Sequence, residues 1–256
     1  MKRLLVPLAV VGTFLVKSKT LLLLLLKVKP VVTALTMLVS IGAYALLYPV
    51  WFAVGLVALI WVHEMGHVLQ LKREGIKASA PTFIPLLGAF VAMKEMPKNA
   101  LVEARVGLAG PVLGTLGSLG VLGLYSATQN PLFLALAFFN SLINLFNLTP
   151  VLPLDGGRAA GAMSPVFWIL GILMIVALSF MQPGIVMFVL IIALLGSTEM
   201  WRRWKMRNTP EGQAYNKIDS RDRLMVGLVY FGLIVVLALL MAVTFVPDPA
   251  GQPLIT

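Results

Sequence analysis

The residues with the clearest chemical potential are two histidines that lie four positions apart in the motif His63-Glu64-Met65-Gly66-His67. Four residues bring a helical chain back to the same face, so both imidazoles can reach one metal ion. Glu64 lies one position further along, where its carboxylate can reach a water molecule at the metal without being a ligand. The pattern therefore predicts zinc chemistry, in which the ion activates water and polarises a carbonyl while Glu64 moves the proton.

A catalytic zinc site generally has a third protein ligand, and Asp155 is the best candidate for it. The chain has no cysteine, so this ligand must be a carboxylate. Asp155 follows an apolar helix end and lies between Pro153 and Gly156-Gly157, which allow irregular backbone beside protein or a water-filled cavity. The alternative is that Asp155 caps the next short helix. The acidic residues interpreted as solvated charges, in loops or at the ends of apolar stretches, are Glu74, Glu95, Glu103, Glu199, Glu211, Asp219, Asp222 and Asp248.

Three asparagines, Asn140, Asn144 and Asn147, are spaced by four and three residues, which places them on one helix face. Asn140 and Asn144 are interpreted as hydrogen-bonding residues that hold helices together, with Asn140 also a candidate for substrate binding. Asn147 is nearer to Asp155 and could point its side-chain donor toward a reacting carbonyl. It is therefore a candidate catalytic residue.

The composition indicates an all-α polytopic membrane protein. Of the 256 residues, 59% are hydrophobic and 12% are charged, which is about half the charged fraction of a soluble domain. Several apolar stretches are long enough to cross a hydrocarbon core, which takes roughly 20 helical residues. Two shorter runs, 4–16 and 21–26, have basic flanks that favour a segment lying on the membrane surface. The seven predicted spans are about 31–47, 51–71, 100–125, 132–148, 166–181, 184–200 and 224–245.

The distribution of basic residues predicts the orientation. All 20 lysines and arginines fall in the N-terminal segment or in the loops after the second, fourth and sixth predicted spans. The positive-inside rule then places the N-terminus in the cytoplasm and the C-terminus outside. This sorting explains the net charge of +10 without nucleic-acid binding, for which no motif is found. The predicted domains are a cytoplasmic or interfacial segment 1–30, a transmembrane domain 31–246 with its motif core at 61–158, and an extracytoplasmic tail 247–256.

Four motifs stand out in the sequence, namely 63–67 (HEMGH), 83–91 (FIPLLGAFV), 109–111 (AGP) and 147–158 (NLTPVLPLDGGR). In combination, they resemble the site-2 protease family of intramembrane zinc metalloproteases. The resemblance implies one zinc ion per chain, held by His63, His67 and Asp155. It also implies that Glu64 is the general acid and base and that Asn147 lies near the scissile bond. The expected substrate is a transmembrane protein cleaved near the cytoplasmic face, in the cell membrane of a prokaryote. The chain is expected to lack the PDZ and CBS domains of many members.

The resemblance further implies that Gly88, Ala89, Phe90 and Val91 form one strand of a small membrane-associated β-hairpin between the second and third spans. A transmembrane helix hides its peptide groups in its own hydrogen bonds, so a protease must first unwind it. An exposed strand edge could then pair with the extended substrate, which makes these four residues candidates for substrate binding. The alternative is a loop that only reaches over the helix bundle.

Two other functions remain as alternatives. A transporter of zinc or another metal ion could use the same histidines and aspartate, but such proteins have paired broken helices and internal repeats. Only one broken region, 150–157, is found in this sequence. A catalytically idle relative that holds membrane proteins would have no need of Glu64. The sequence therefore favours a protease embedded in a lipid bilayer, and no feature of it indicates an oligomeric state.

Overall fold

The computed structural model describes residues 29–164, 166–181 and 186–245. Expectations for the interfacial runs before residue 29 and for the tail 247–256 lie outside these residues. The described chain is mostly helical, with one small sheet. Its helices are α1 (Lys29–Ala45), α2 (Val50–Arg73), α3 (Ala100–Thr128), α4 (Pro131–Asn147), α5 (Asp155–Met163), α6 (Val166–Met181), α7 (Val186–Met206), α8 (Pro210–Asn216) and α9 (Ser220–Thr244), and its strands are β1 (Thr82–Ile84) and β2 (Gly88–Phe90).

Within the described ranges, three helices are long and apolar enough to cross a membrane, namely α2, α3 and α9. The helices α1, α4 and residues 166–177 of α6 are apolar but shorter. The seven ranges predicted as spans are occupied by α1, α2, α3, α4, α6, α7 and α9. The predicted helical fold is therefore confirmed, and three of the seven helices meet the length and composition of a membrane span.

The central helix of the fold is α3. It begins after Asn99, whose side chain accepts a hydrogen bond from the Val102 N–H at 2.9 Å and so satisfies one free donor of the first turn. It packs against α2, α4, α5 and α9. Glycines along α3 allow these neighbours to approach closely. At Gly107, for example, an added Cβ would lie 2.9 Å from the Asp155 carbonyl oxygen.

Two apolar clusters hold the other helices around α3. One cluster joins α3, α5 and α9 through buried side chains that include Leu108 and Leu237. The other joins α2, α4 and β1 through Phe52, Leu136 and Phe83. The first cluster fixes the second half of α5 against α3, and the second fixes the small sheet against α2.

The predicted β-hairpin is present between α2 and α3. Strands β1 and β2 pair antiparallel, with Phe83 opposite Ala89. Phe83 is 4% exposed and packs in the core, while the turn passes through Leu86, which has a φ of 63°. The hairpin is tied to α1 by the Thr33 hydroxyl, which donates to the Pro81 carbonyl oxygen at 2.8 Å. The sheet is therefore held by the buried Phe83 side chain and by a hydrogen bond from α1.

Ala89 of β2 directs its N–H and C=O away from the partner strand. The Phe83 N–H donates to the Thr36 hydroxyl at 3.3 Å instead of to β2. Phe83 and Ala89 are therefore a non-hydrogen-bonded pair of the antiparallel ladder, and the Ala89 N–H and C=O face the outer edge of β2. No hydrogen bond of the described residues occupies that edge at Ala89.

Candidate metal centre

Three side chains from two helices converge at one point inside the bundle. His63 and His67 lie one turn apart on α2, with their ring centroids 4.9 Å apart. Asp155 is the first residue of α5, where the chain re-enters helix after the irregular segment 148–154. Its Oδ2 atom lies 3.1 Å from each histidine Nε2, and the two Nε2 atoms are 3.2 Å apart. These three groups could hold a metal ion.

The second nitrogen of each ring is also bound, which leaves Nε2 for a ligand. His67 Nδ1 lies 2.8 Å from the Val106 carbonyl oxygen of α3. A carbonyl can only accept, so Nδ1 carries the hydrogen and Nε2 keeps a lone pair. His63 Nδ1 lies 2.8 Å from Asn144 Oδ1. Rings oriented in this way are typical of metal-binding histidines, and two imidazole nitrogens with one carboxylate oxygen fit zinc.

Glu64 lies beside this group with an unsatisfied oxygen. Its side chain is 4% exposed, and its Oε2 atom has no hydrogen-bond partner among the described residues. A buried carboxylate oxygen without a partner costs free energy, so such an atom indicates a functional contact. Glu64 is therefore placed to bind a polar group that enters beside His63 and His67.

The convergent side chains lie in a cavity of about 540 Å³. It is bounded by α2, α4, the outer edge of β2 and the start of α5. Most of the residues that the sequence singles out therefore share one space. Those that line it are His63, Glu64, His67, Gly88, Ala89, Phe90, Val91, Asn140, Asn147 and Asp155, together with Arg158.

The asparagines on α4 occupy different positions in this space. Asn140 is 1% exposed, and its amide donates to the Gly114 carbonyl and the Ser118 hydroxyl, each at 2.8 Å. Its donors are thus used between α4 and α3, as expected for a residue that holds helices together. Asn147 is half-buried at the end of α4 and lines the cavity. Asn144 contacts His63, which the sequence analysis missed because the two residues are 81 positions apart.

A glycine on α3 makes room for the two imidazoles. A Cβ atom at Gly110 would overlap His67 Nε2 and would lie 2.7 Å from His63 Nε2. The regular spacing of glycines on α3 signals close packing, but the spacing alone does not distinguish Gly110 from its neighbours. At Gly120 of the same helix, by contrast, an added Cβ meets nothing within 4 Å.

The interpretation of Glu103 as a solvated charge is wrong. Glu103 is 3% exposed and accepts two hydrogen bonds from the Arg203 guanidinium, at 2.6 and 2.8 Å. The Tyr215 hydroxyl donates to the same carboxylate at 2.6 Å. Burial, with the Glu103 charge beside it, holds the pKa of Tyr215 above its usual range, so this hydroxyl remains a donor. The partners come from α7 and α8, about 100 residues away, which is why local composition gave no sign of them.

Comparison with known proteins agrees with this site. The sequence pattern of peptidase family M50 matches residues 51–131, a range that includes His63, Glu64 and His67 and ends before Asp155. The zinc metalloprotease MJ0392 of Methanocaldococcus jannaschii is 30% identical over 129 residues, which are 48% of this chain and 37% of the relative. Rip3 of Mycobacterium tuberculosis is 33% identical over 118 residues, which are 43% of this chain and 30% of that relative.

These matches confirm the resemblance to the site-2 proteases. Residues 51–131 therefore resemble peptidase family M50, and the relatives that match this chain are named zinc metalloproteases. The chain spans about a third of the length of the curated relatives it matches. What those longer proteins do as wholes therefore enters only as a proposal for this chain.

Proposed function

We propose that this chain is an intramembrane zinc metalloendopeptidase that cleaves transmembrane segments of other proteins near the cytoplasmic face. The observation that carries the proposal is the convergence of His63, His67 and Asp155 beside the unpartnered carboxylate of Glu64. All four side chains border one cavity that the residues of β2 also line. His63, His67 and Asp155 are the proposed zinc ligands, with one ion per chain.

The proposed reaction is hydrolysis of a peptide bond. Zinc at this site would supply a Lewis acid that polarises the peptide carbonyl and activates water. Glu64 removes a proton from the attacking water as its oxygen bonds to the carbonyl carbon, and returns that proton to the amide nitrogen as the C–N bond breaks. Asn147 is proposed to donate a hydrogen bond to the carbonyl oxygen as negative charge develops there.

The free edge of β2 is the proposed docking site for the unwound substrate. Ala89 lines the cavity, and its N–H and C=O face the outer edge of β2. An extended chain could pair with these groups as a further strand. Gly88, Phe90 and Val91 would contact the side chains of that chain. Such pairing holds the substrate extended, which exposes the scissile carbonyl beside Glu64. Asn140, which lines the same cavity from α4, is proposed to contact the substrate as well.

The proposed topology has seven membrane crossings, with a cytoplasmic N-terminus and an extracytoplasmic C-terminus. The sorting of the basic residues supports it. Because the chain has no cysteine, single cysteines can report on each side without background. An impermeant thiol reagent added outside intact cells should label Ser126→Cys at the end of α3 and leave Ser220→Cys at the start of α9 unlabelled. The reverse labelling would contradict the orientation.

The activity is tested by Glu64→Gln in purified protein. Cleavage of a model transmembrane substrate in detergent or proteoliposomes should vanish, while the zinc content stays near one ion per chain, because glutamine keeps the shape of the side chain but cannot take a proton. Proteolysis that survives this change would contradict the mechanism. Zinc flux in proteoliposomes that is lost in His67→Ala, without any proteolysis, would favour the transporter instead.

A further inference from the structure

We infer that Asn144 is a positioning residue that fixes the tautomer of His63, so that the Nε2 atom of this ring presents a lone pair to a metal ion. The inference rests on the proposed metal site, and it assigns Asn144 a role beyond helix packing. It follows from a chain of hydrogen bonds whose direction is determined at its far end by a main-chain carbonyl of α3.

The first link is the amide of Asn140. Its Nδ2 atom lies 2.8 Å from the Gly114 carbonyl oxygen and 2.8 Å from Ser118 Oγ. A carbonyl oxygen can only accept, so the amide atom that faces it must be the nitrogen. The Asn140 Oδ1 atom is therefore directed to the other side of the amide, where it meets Asn144.

The second link is the amide of Asn144. Its Nδ2 atom lies 2.8 Å from the Asn140 main-chain oxygen and 3.2 Å from Asn140 Oδ1. Both of these atoms accept, so the two N–H groups of Asn144 are used there. The Asn144 Oδ1 atom consequently faces α2. If the amide were reversed, Oδ1 would face two acceptors, which disfavours that orientation.

The third link is the imidazole itself. Asn144 Oδ1 lies 2.8 Å from His63 Nδ1 and can only accept, so Nδ1 must carry the hydrogen. A neutral imidazole has a single N–H, which leaves a lone pair on Nε2. That atom lies 3.1 Å from Asp155 Oδ2 and 3.2 Å from His67 Nε2, at the point where the proposed ligands meet.

Burial holds this chain of hydrogen bonds in one donor-to-acceptor direction. Asn140, Asn144 and Ser141 are each at most 1% exposed, and His63 is 4% exposed. In such surroundings every polar atom needs its partner, so a fully paired chain holds one arrangement. The space for it is reserved by Gly114, where an added Cβ would overlap the Asn144 amide.

The tautomer can be read directly in metal-free protein. The chain has two histidines, so two rings account for all imidazole signals in a ¹⁵N-histidine spectrum. Because Asp155 Oδ2 lies 3.1 Å from each Nε2 and would itself favour a hydrogen there, the comparison is made in an Asp155→Ala background, where both rings should show Nδ1–H and no hydrogen on Nε2. In Asn144→Leu, one ring should lose this signature while the other, held by the Val106 carbonyl, keeps it. Two unchanged rings in Asn144→Leu would overturn the inference.

Zinc affinity, measured by competition with a chromophoric chelator, supplies the second readout. Asn144→Leu should weaken binding by about 10- to 100-fold, as is usual when the partner of a metal-binding histidine is removed. The matched control is Ser141→Ala, which removes a donor to Ser118 in the same buried chain but touches neither His63 nor Asn144. Its affinity should stay within about threefold of wild type.

The outcomes separate this inference from the proposed activity. If Ser141→Ala weakens binding as much as Asn144→Leu does, a general packing effect explains the result and the inference is wrong. If the tautomer and the affinity change as stated but the wild type cleaves no substrate, the positioning role of Asn144 stands and the proteolytic function fails.

Discussion

Gly110 of α3 lies directly against the imidazole of His67, so that a Cβ atom at this position would overlap the ring at Nε2 and Cε1. The same atom would lie 2.7 Å from His63 Nε2. At Gly110, α3 and α2 can therefore approach closely only because no side chain occupies the space of the two rings. One hydrogen atom on Gly110 is what permits both Nε2 atoms to point at Asp155.

A methyl group at Gly110 should consequently disrupt the metal centre. We expect Gly110→Ala to lower zinc stoichiometry well below one ion per chain in purified protein, because the rings must rotate away or the helices must separate. Zinc is measured by atomic emission after removal of unbound metal. Gly120→Ala on the same helix is the matched control, since its Cβ meets nothing within 4 Å, and it should bind zinc as wild type does. Equal zinc content in both variants would refute the proposed crowding.

Metal removal should lower thermal stability through Asp155. A ligand that binds only the folded state stabilises it by about 2.7 kcal/mol at a concentration a hundredfold above its Kd. We expect added zinc to raise the Tm of chelator-treated wild type in detergent and to have little effect on Asp155→Ala. Asp222→Ala, which removes an exposed carboxylate at the start of α9, should retain the full zinc-dependent rise. A similar rise in Asp155→Ala would exclude Asp155 as a ligand.

The outward N–H of Ala89 should contribute to substrate binding and not to zinc binding. Ala89→Pro removes an N–H that makes no bond to β1, so the hairpin should keep its pairing while the proposed substrate strand loses a donor. We expect kcat/KM for a transmembrane substrate to fall by more than about tenfold, a loss near that of one hydrogen bond in a buried site. Ala89→Gly keeps the N–H and should retain most activity.

Zinc content distinguishes a docking defect from misfolding. It should remain near one ion per chain in both Ala89 variants, because the strand edge is separate from the ligands. Loss of zinc in Ala89→Pro would mean that the hairpin shapes the metal site, and unchanged kcat/KM in that variant would exclude strand addition at this residue.

The sequence predicts the parts of the site that depend on local spacing. His63, Glu64 and His67 share one helix, so a repeat of four residues is enough to group them, and the hairpin lies where its motif predicts. Asp155 could be singled out because prolines and glycines mark broken helix around an acidic residue. Asn144 and Gly110 could not, because their contacts with α2 depend on how three helices pack. The number of membrane crossings also does not follow from the sequence alone, since an apolar helix of 16 or 17 residues fits both a short span and a buried segment.

The buried pair of Glu103 and Arg203 gives the last prediction, which concerns stability. Glu103→Gln leaves the Arg203 guanidinium with Glu199 as its remaining charged partner, so the free energy of unfolding should fall by about 2 kcal/mol. Tyr215→Phe should cost about 1 to 2 kcal/mol, since it deletes one hydrogen bond to a charged group. Arg202→Gln removes an exposed pair with Glu199 and should cost less than about 1 kcal/mol. Reversible unfolding in mixed micelles measures all three. An equal cost for Glu103→Gln and Arg202→Gln would show that the buried contact does not hold α7 and α8 to α3.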